Sequence, residues 1–526
     1  MAFISNLGLA FSEIVQAHEH RTALLYPASG ECVTYRQLGN LVETIAAGLS
    51  TQGLGQGDVV AMFHDKSPAA FAAMLACLKL GIIYTNLDAD SPWPRIGKII
   101  NNCQPRAIVN AFTALPFAAE FNLLPDVQVL NLQNLARPLG SRLLPEAGRS
   151  VTGASPAYIM FTSGSTGVPK GAVMSHANLL WFTQWARSRF DITPDDILTN
   201  VNPIYFDNSV FDFYTAIFSG AALVPLLPEQ VKDTRLLVQL VDQARCTVWF
   251  SVPSLLVYLL TTRVLSTSSF PAVRKIIFGG EGFPKPKLKQ LYDLFGGRAE
   301  LENVYGPTEC TCICSASTIS DADFQDMQNL ATLGRLAQNF DGEILPLNLA
   351  EKTFGELFLR GPQVGLGYYN DPDRTAKAFV QNPNHSRYAD VGYRTGDLVY
   401  QDAAGCLHFK GRADFQIKHM GYRIELEEIE AALNTLPEVR ECAVIYQSLG
   451  NGLGQIIAYA VVDSEAFAQT LLPKVAAIVP HYMVPKRMIT IDVLPKNANG
   501  KIDRVALQEM ATRVQQASAE TASKSE

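Results

Sequence analysis

Apolar and polar positions follow two alternating periods along the chain. From about residue 5 to 150, stretches with helical spacing are separated by short continuous apolar runs, among them 58–63 and 107–110. The segment from Thr34, TYRQLGNLVETIAAGLSTQGL, puts Leu38, Leu41, Ile45 and Leu49 on one face and meets a glycine where a helix would stop. Residues 155–400 repeat the alternation, with TVWFSVP from Thr247 and KIIFGGE from Lys275 reading as buried strands. Strands alternating with helices predict an α/β fold of layered sheets flanked by helices. Ligands in open sheets of this kind bind beyond the carboxyl ends of the strands. Near residue 411 the texture changes. GRADFQIKHMGYRIELEEIEAALNTLPEV reads as a short charged strand leading into an amphipathic helix, and the segment to about residue 512 predicts a small α+β unit. The final QQASAETASKSE is small and polar, the composition of a disordered tail. The expected organisation is a large domain over 1–411, a small one over 412–512 and a tail over 513–526.

A chain of 526 residues is long enough for at least two domains. With 48% hydrophobic and 18% charged residues it has a globular composition. The 43 basic and 50 acidic side chains leave a net charge of −7, which disfavours nucleic acid and anionic lipid as partners. The N-terminus lacks the basic region of a signal peptide and meets Glu13 early. Apolar stretches are broken before the ~20 residues a bilayer requires. The expectation is a soluble, cytoplasmic protein with no membrane partner. Nine cysteines, an odd number without a C-x-x-C pair, predict free thiols. Cys310, Cys312 and Cys314 alternate, as strand residues facing opposite sides would, and His18 and His20 read as surface residues on a helix.

The chemistry concentrates in YIMFTSGSTGVPKG, from Tyr158 to Gly171. An apolar strand runs into a loop of hydroxyls and glycines and then a lysine. Exposed backbone N–H groups and hydroxyls in such a loop can wrap phosphate oxygens, and the lysine adds a point charge. The Walker A pattern does not fit. The loop resembles the phosphate loop of the adenylate-forming superfamily, which includes acyl-CoA synthetases, luciferases and the adenylation domains of nonribosomal peptide synthesis. The resemblance continues in order through LKLGIIYTNLDADSPWPRI (78–96), FDNSVFDFY (206–214), NVYGPTE (303–309), GELFLRGPQVGLGYY (355–369), YRTGD (393–397), GRADFQIKHMGYRIELEEIE (411–430) and NANGKIDR (497–504).

That resemblance implies a large N-terminal domain, a small mobile C-terminal domain, and two half-reactions using ATP and Mg2+. A carboxylate attacks ATP to give acyl-AMP and pyrophosphate, and a thiol then takes the acyl group. It further implies roles for individual residues. Thr162, Ser163, Gly164, Ser165, Thr166 and Lys170 cover the phosphates. Tyr305 stacks on adenine, Asn303 reads its edge, and Asp397 accepts the ribose hydroxyls. Thr308 contacts the α-phosphate, Glu309 holds Mg2+, and Arg412 lies near ribose or phosphate. Lys501 bridges carboxylate and phosphate. Asp414 is the hinge about which the small domain turns, and Gly421 leaves room for a pantetheine arm.

Asp207 decides the sub-family, because amino-acid-activating members carry an aspartate there for the α-ammonium. The family's other pocket positions fall on Asn208, Phe211, Ser251, Ile277, Gly279, Val304, Cys312 and Ile313. None of these is charged, which implies a neutral side chain. Gly279 and Ser251 are expected to leave depth for a medium or large one, with Asn208 and Ser251 offering a hydrogen bond. The chain also resembles stand-alone D-alanine–carrier-protein ligases, which have Cys where this chain has Gly279, so D-alanine stands as the alternative. A small-acid CoA ligase is a further one. With no L-G-G-[HD]-S site in the sequence, the expected partners are a free amino acid and a separate carrier protein bearing phosphopantetheine.

Overall fold

The computed structural model describes the chain apart from residues 1–4, 123, 125, 139–149, 329, 339, 348–352, 451–452, 463–464, 498–501 and 524–526. The chain divides into two compact units. One comprises residues up to Ala89, Ile100–Phe161 and Gly171–Ala413, and the other Asp90–Ile99, Thr162–Lys170 and the chain from Asp414.

In the first unit the apolar runs are strands. Val59–Phe63 is buried at all five positions and lies between parallel strands Ile83–Leu87 and Ala107–Asn110. With Pro156–Thr162 they belong to a seven-stranded sheet. A nine-stranded sheet sets Ile197–Asn200, Val248–Ser251, Lys275–Gly279 and Glu300–Tyr305 side by side and parallel. Burial on both faces is why Val59–Phe63, Val248–Ser251 and Lys275–Gly279 read as largely apolar runs. A five-stranded antiparallel sheet contains Phe354–Arg360, Val391–Gln401 and Leu407–Arg412. The helix expected from Thr34 spans Tyr35–Thr51 and starts at a capping box, in which Thr34 and Gln37 satisfy each other's backbone N–H groups. It buries Leu38, Val42, Ile45 and Leu49, while Leu41 is only half-buried.

Asn208–Val210 and Ala216–Phe218 are α-helical and flank a π-helical turn, Phe211–Thr215. Turns of this kind recur at functional sites. This one carries Asp212, which is 1% exposed and accepts from Asn200 Nδ2 at 2.9 Å and Asn202 Nδ2 at 3.0 Å. Lys66, also buried, donates to the carbonyls of Asn200 and Leu226, both at 2.8 Å. Burial pushes Lys66 down to about 7 and Asp212 up to about 7, and each group's charge opposes the shift of the other.

The second unit contains the hairpin Gln416–His419/Tyr422–Glu425, helix Leu426–Leu433, and a three-stranded sheet of Val439–Gly450, Leu453–Val462 and Arg487–Thr490. The hairpin turns through Met420 and Gly421, at φ 52° and 81°. Two consecutive positive φ values are what a tight two-residue turn requires, and glycine takes the second at no steric cost. The expected tail is corrected in part, since the last helix, Arg504–Ser523, runs well past residue 512. Among the described residues no helix is long and apolar enough to cross a membrane.

The buried carboxylate of the π turn yields a stability prediction. Asp212→Ala leaves the buried Asn200 and Asn202 amides without their acceptor and should cost ~1–3 kcal/mol of unfolding free energy. Urea denaturation measures it, and an unchanged midpoint contradicts the assignment.

Candidate active site

Three acidic side chains of the first unit are each held by a hydroxyl. Asp207, just before the short helix Asn208–Val210, accepts from the Thr308 hydroxyl, Oδ2 to Oγ1, at 2.6 Å. Glu309 is 0% exposed and its Oε1 accepts from the Tyr368 hydroxyl at 2.6 Å. Asp397 is 2% exposed; its Oδ2 accepts from Tyr305 Oη at 2.5 Å and its Oδ1 from Arg412 Nη1 at 2.5 Å. Burial and the adjacent Asp397 push the Tyr305 phenol well above its ordinary value, so it remains a donor. Strand pairing places Asp397 opposite Arg412, which keeps Arg412 in the first unit rather than at the start of the second. Asn303 donates its amide to the Thr332 carbonyl at 2.8 Å.

Thr308 and Glu309 lie on a 3-10 turn, Thr308–Cys310, which follows the strand Glu300–Tyr305. The chain then passes through Thr311 and Cys312 at φ 59° and 71°. This corrects the strand expected from Cys310, Cys312 and Cys314. The three are buried free thiols, with Cys310 and Cys312 on a tight turn. Among the described residues no group of three or more His, Cys, Asp or Glu could hold a metal. Glu309 therefore offers a carboxylate without a protein cage, a donor set that fits Mg2+, which completes its shell with water and substrate phosphates.

The pocket positions come together only in part as expected. Phe211, Ile277, Val304, Cys312 and Ile313 are all buried in the main apolar core, and Phe211 sits edge-on to Phe190 and Phe250. Ser251 is 0% exposed, accepts from Trp249 Nε1 at 2.8 Å and donates to the Val252 carbonyl at 3.1 Å. Its one donor is thus committed to the protein, which corrects the hydrogen bond expected of it. Asn208 has its amide beside Gly280, where an added Cβ would lie 3.4 Å away. Gly279 does not leave depth where a side chain would point. A Cβ there would lie 2.4 Å from the Val304 carbonyl oxygen and 2.6 Å from Val304 Cγ2. Glycine is required because the neighbouring strand fills that space.

The loop expected to hold phosphate belongs to the second unit, where Ser163, Gly164 and Lys170 already have partners. Ser163 Oγ donates to the Arg423 carbonyl at 2.8 Å and accepts from Glu425 N at 3.1 Å. Gly164 N donates to Glu428 Oε2 at 3.1 Å, and Lys170 Nζ to Glu425 Oε1 at 3.4 Å. Lys98 Nζ donates to the Gly167 carbonyl at 2.6 Å. Thr162 Oγ1 is buried with no partner, and Ser165 and Thr166 are exposed. Asp414, the first residue after the break between the units, accepts from Gln416 N at 3.2 Å. Gly421 lies in the hairpin turn, and Lys501 is outside the described residues.

Sequence reasoning missed Tyr368, Lys66, Asp212, Glu425 and Glu428. Tyr368, Asp212, Glu425 and Glu428 lay inside quoted motifs; Lys66 carried no signal of its own.

A family profile described as AMP-binding enzyme matches residues 11–369, and one described as AMP-binding enzyme C-terminal domain matches residues 428–501. An L-proline–[L-prolyl-carrier protein] ligase from Pseudomonas fluorescens is 34% identical over 496 residues, 91% of this chain and 94% of that protein. A D-alanine–D-alanyl carrier protein ligase from Lacticaseibacillus casei is 31% identical, over 96% of this chain and 99% of that protein. A dimodular nonribosomal peptide synthase from Bacillus subtilis is 32% identical, and the chain spans 20% of its length. The solved structure of NpsA-ThdA, an artificially fused adenylation-PCP di-domain from Klebsiella oxytoca, shares the fold with a TM-score of 0.79 at 23% identity and covers 98% of both chains.

The contact at Gly279 makes a prediction. Gly279→Cys must displace the Val304 strand, so it should cost ~1–3 kcal/mol of stability and depress activity on every amino acid alike. Unfolding and kcat/KM for alanine and a larger amino acid measure it. A shift confined to the larger substrate contradicts the packing account.

Proposed function

The chain belongs to the AMP-binding enzymes, and from that premise we propose that it activates a neutral amino acid as aminoacyl-AMP and passes it to the phosphopantetheine thiol of a separate carrier protein. In the first step a carboxylate oxygen attacks the α-phosphorus and the bond to pyrophosphate breaks. In the second, sulfur attacks the acyl carbon and AMP leaves with the C–O electrons. Negative charge crowds at the α-phosphorus, so positioned cations and donors supply most of the catalysis.

One observation carries the amino-acid reading, the 2.6 Å contact between Asp207 and Thr308. An aminoacyl-adenylate joins its α-ammonium to the α-phosphorus through only Cα, the carbonyl carbon and one oxygen. A protein that reads both groups needs their recognition residues side by side. Asp207 takes the ammonium and Thr308 the α-phosphate. Asp397 can accept ribose hydroxyls while keeping Tyr305 and Arg412, since each carboxylate oxygen has two lone pairs. Tyr305 and Asn303 take adenine, and residues 162–170 the phosphates. When bound, Mg2+ would neutralise phosphate charge from Glu309, which Tyr368 orients. Lys501 supplies the cation between carboxylate and phosphate. Asp414 serves as the hinge and Gly421 as the approach for the thiol arm.

The absence of charge at the pocket positions other than Asp207 favours an uncharged side chain. A second reading, D-alanine, gains from Gly279, because Val304 rather than a cysteine closes the space that glycine was expected to open. The small-acid CoA ligase reading gives Asp207 no ammonium to bind.

Asp207→Ala should cost ~2–5 kcal/mol of amino-acid binding, the range for truncating one partner of a buried charge pair, with ATP affinity nearly unchanged. Steady-state pyrophosphate exchange measures it. Undiminished wild-type activity on the des-amino analogue of the best substrate would contradict the assignment.

A further inference from the structure

We propose that Glu428 and Glu425 stand in for phosphate on the Thr162–Lys170 loop and compete with ATP for it, an inference that rests on reading this loop as the phosphate site. A carboxylate and a phosphoryl group present the same thing to a donor, an anionic oxygen. Glu428 Oε2 takes the Gly164 N–H, and Glu425 Oε1 the Lys170 ammonium. The Ser163 hydroxyl is committed to Arg423 and Glu425. Three of the groups the loop would turn to phosphate are therefore already engaged, two of them by carboxylates.

The arrangement is built. Glu425 and Glu428 are each 5% exposed and Ser163 is 1% exposed. Arg95, at 6% exposure, forms an ion pair with Glu428 Oε1 and fixes that carboxylate with its other oxygen toward the loop. Gln416 Nε2 holds Glu425 through Oε1, the same oxygen that meets Lys170, donating at 2.6 Å. Buried donors and a partly buried ammonium are costly to leave unmet, so an anion stabilises the loop whether or not nucleotide is present. When phosphates arrive the carboxylates must leave, and the cost of that exchange is subtracted from ATP affinity. When pyrophosphate departs, the carboxylates return and oppose its rebinding.

The test is equilibrium binding of MgATP and of inorganic pyrophosphate to the full-length enzyme. Glu428→Gln keeps the shape, removes the competing charge and leaves Arg95 cationic. It should tighten both ligands by about fivefold or more, the scale of ordinary coupling between sites. Glu425→Gln should shift both the same way. A purely structural carboxylate predicts unchanged or weaker binding, and that result in the folded variants overturns the proposal. Lys170→Ala separates the two levels. If it weakens ATP while Glu428→Gln does not tighten it, the competition fails alone. If it leaves ATP affinity untouched, the phosphate-loop reading fails and the competition with it. Hydrogen exchange on the wild-type enzyme needs no variant to fold. Saturating MgATP should speed exchange in residues 423–433, and unchanged exchange there overturns the proposal.

Discussion

A carboxylate removed from water must be met by donors, and the first unit is organised around that constraint. Asp207, Asp212, Glu309 and Asp397 are wholly or partly buried, and each has a partner from a different part of the chain. Thr308, on the turn after one parallel strand, reaches Asp207 before a short helix. Tyr305, at the end of the strand itself, reaches Asp397 on an antiparallel strand. The contacts of Asp207, Glu309 and Tyr305 tie together segments distant in sequence, so fixing the acid groups also fixes the turns that carry them. An uncompensated buried charge costs several kcal/mol. The same side chains that bring negative charge to the site therefore specify its geometry.

The second unit meets the complementary constraint. Its glycine- and hydroxyl-rich loop is a set of donors with a lysine, and donors require an anion. Glu425 and Glu428 supply one from the protein itself. On the proposed reading of the loop, anion and donor would exchange partners with phosphate rather than remain exposed.

Continuous apolar runs such as 59–63 and 275–279 were legible as strands because burial on both faces leaves no polar position to interrupt them. The helix from Thr34 was legible because its capping box is local. What failed was tertiary. Cys310, Cys312 and Cys314 alternate as strand residues do, yet two left-handed residues interrupt them, and nothing in three thiols signals that. Gly279 was read as an opening because a missing side chain suggests space, whereas its strand partner Val304 occupies that space. Ser251 was read as offering a hydrogen bond, but Trp249, two residues earlier, and the Val252 carbonyl take its hydroxyl. Lys66 was invisible because a lone lysine is ordinarily solvated and only the fold buries it.

The step proposed for this chain is formation of aminoacyl-adenylate from a neutral amino acid. Amino-acid-dependent exchange of labelled pyrophosphate into ATP reads that step in isolation, without carrier protein. Run across the proteinogenic L-amino acids, their D-forms and common nonproteinogenic ones, it should give exchange well above background for one or a few uncharged amino acids and none for their des-amino acids. Exchange with simple carboxylic acids and with no amino acid in the panel would contradict the account.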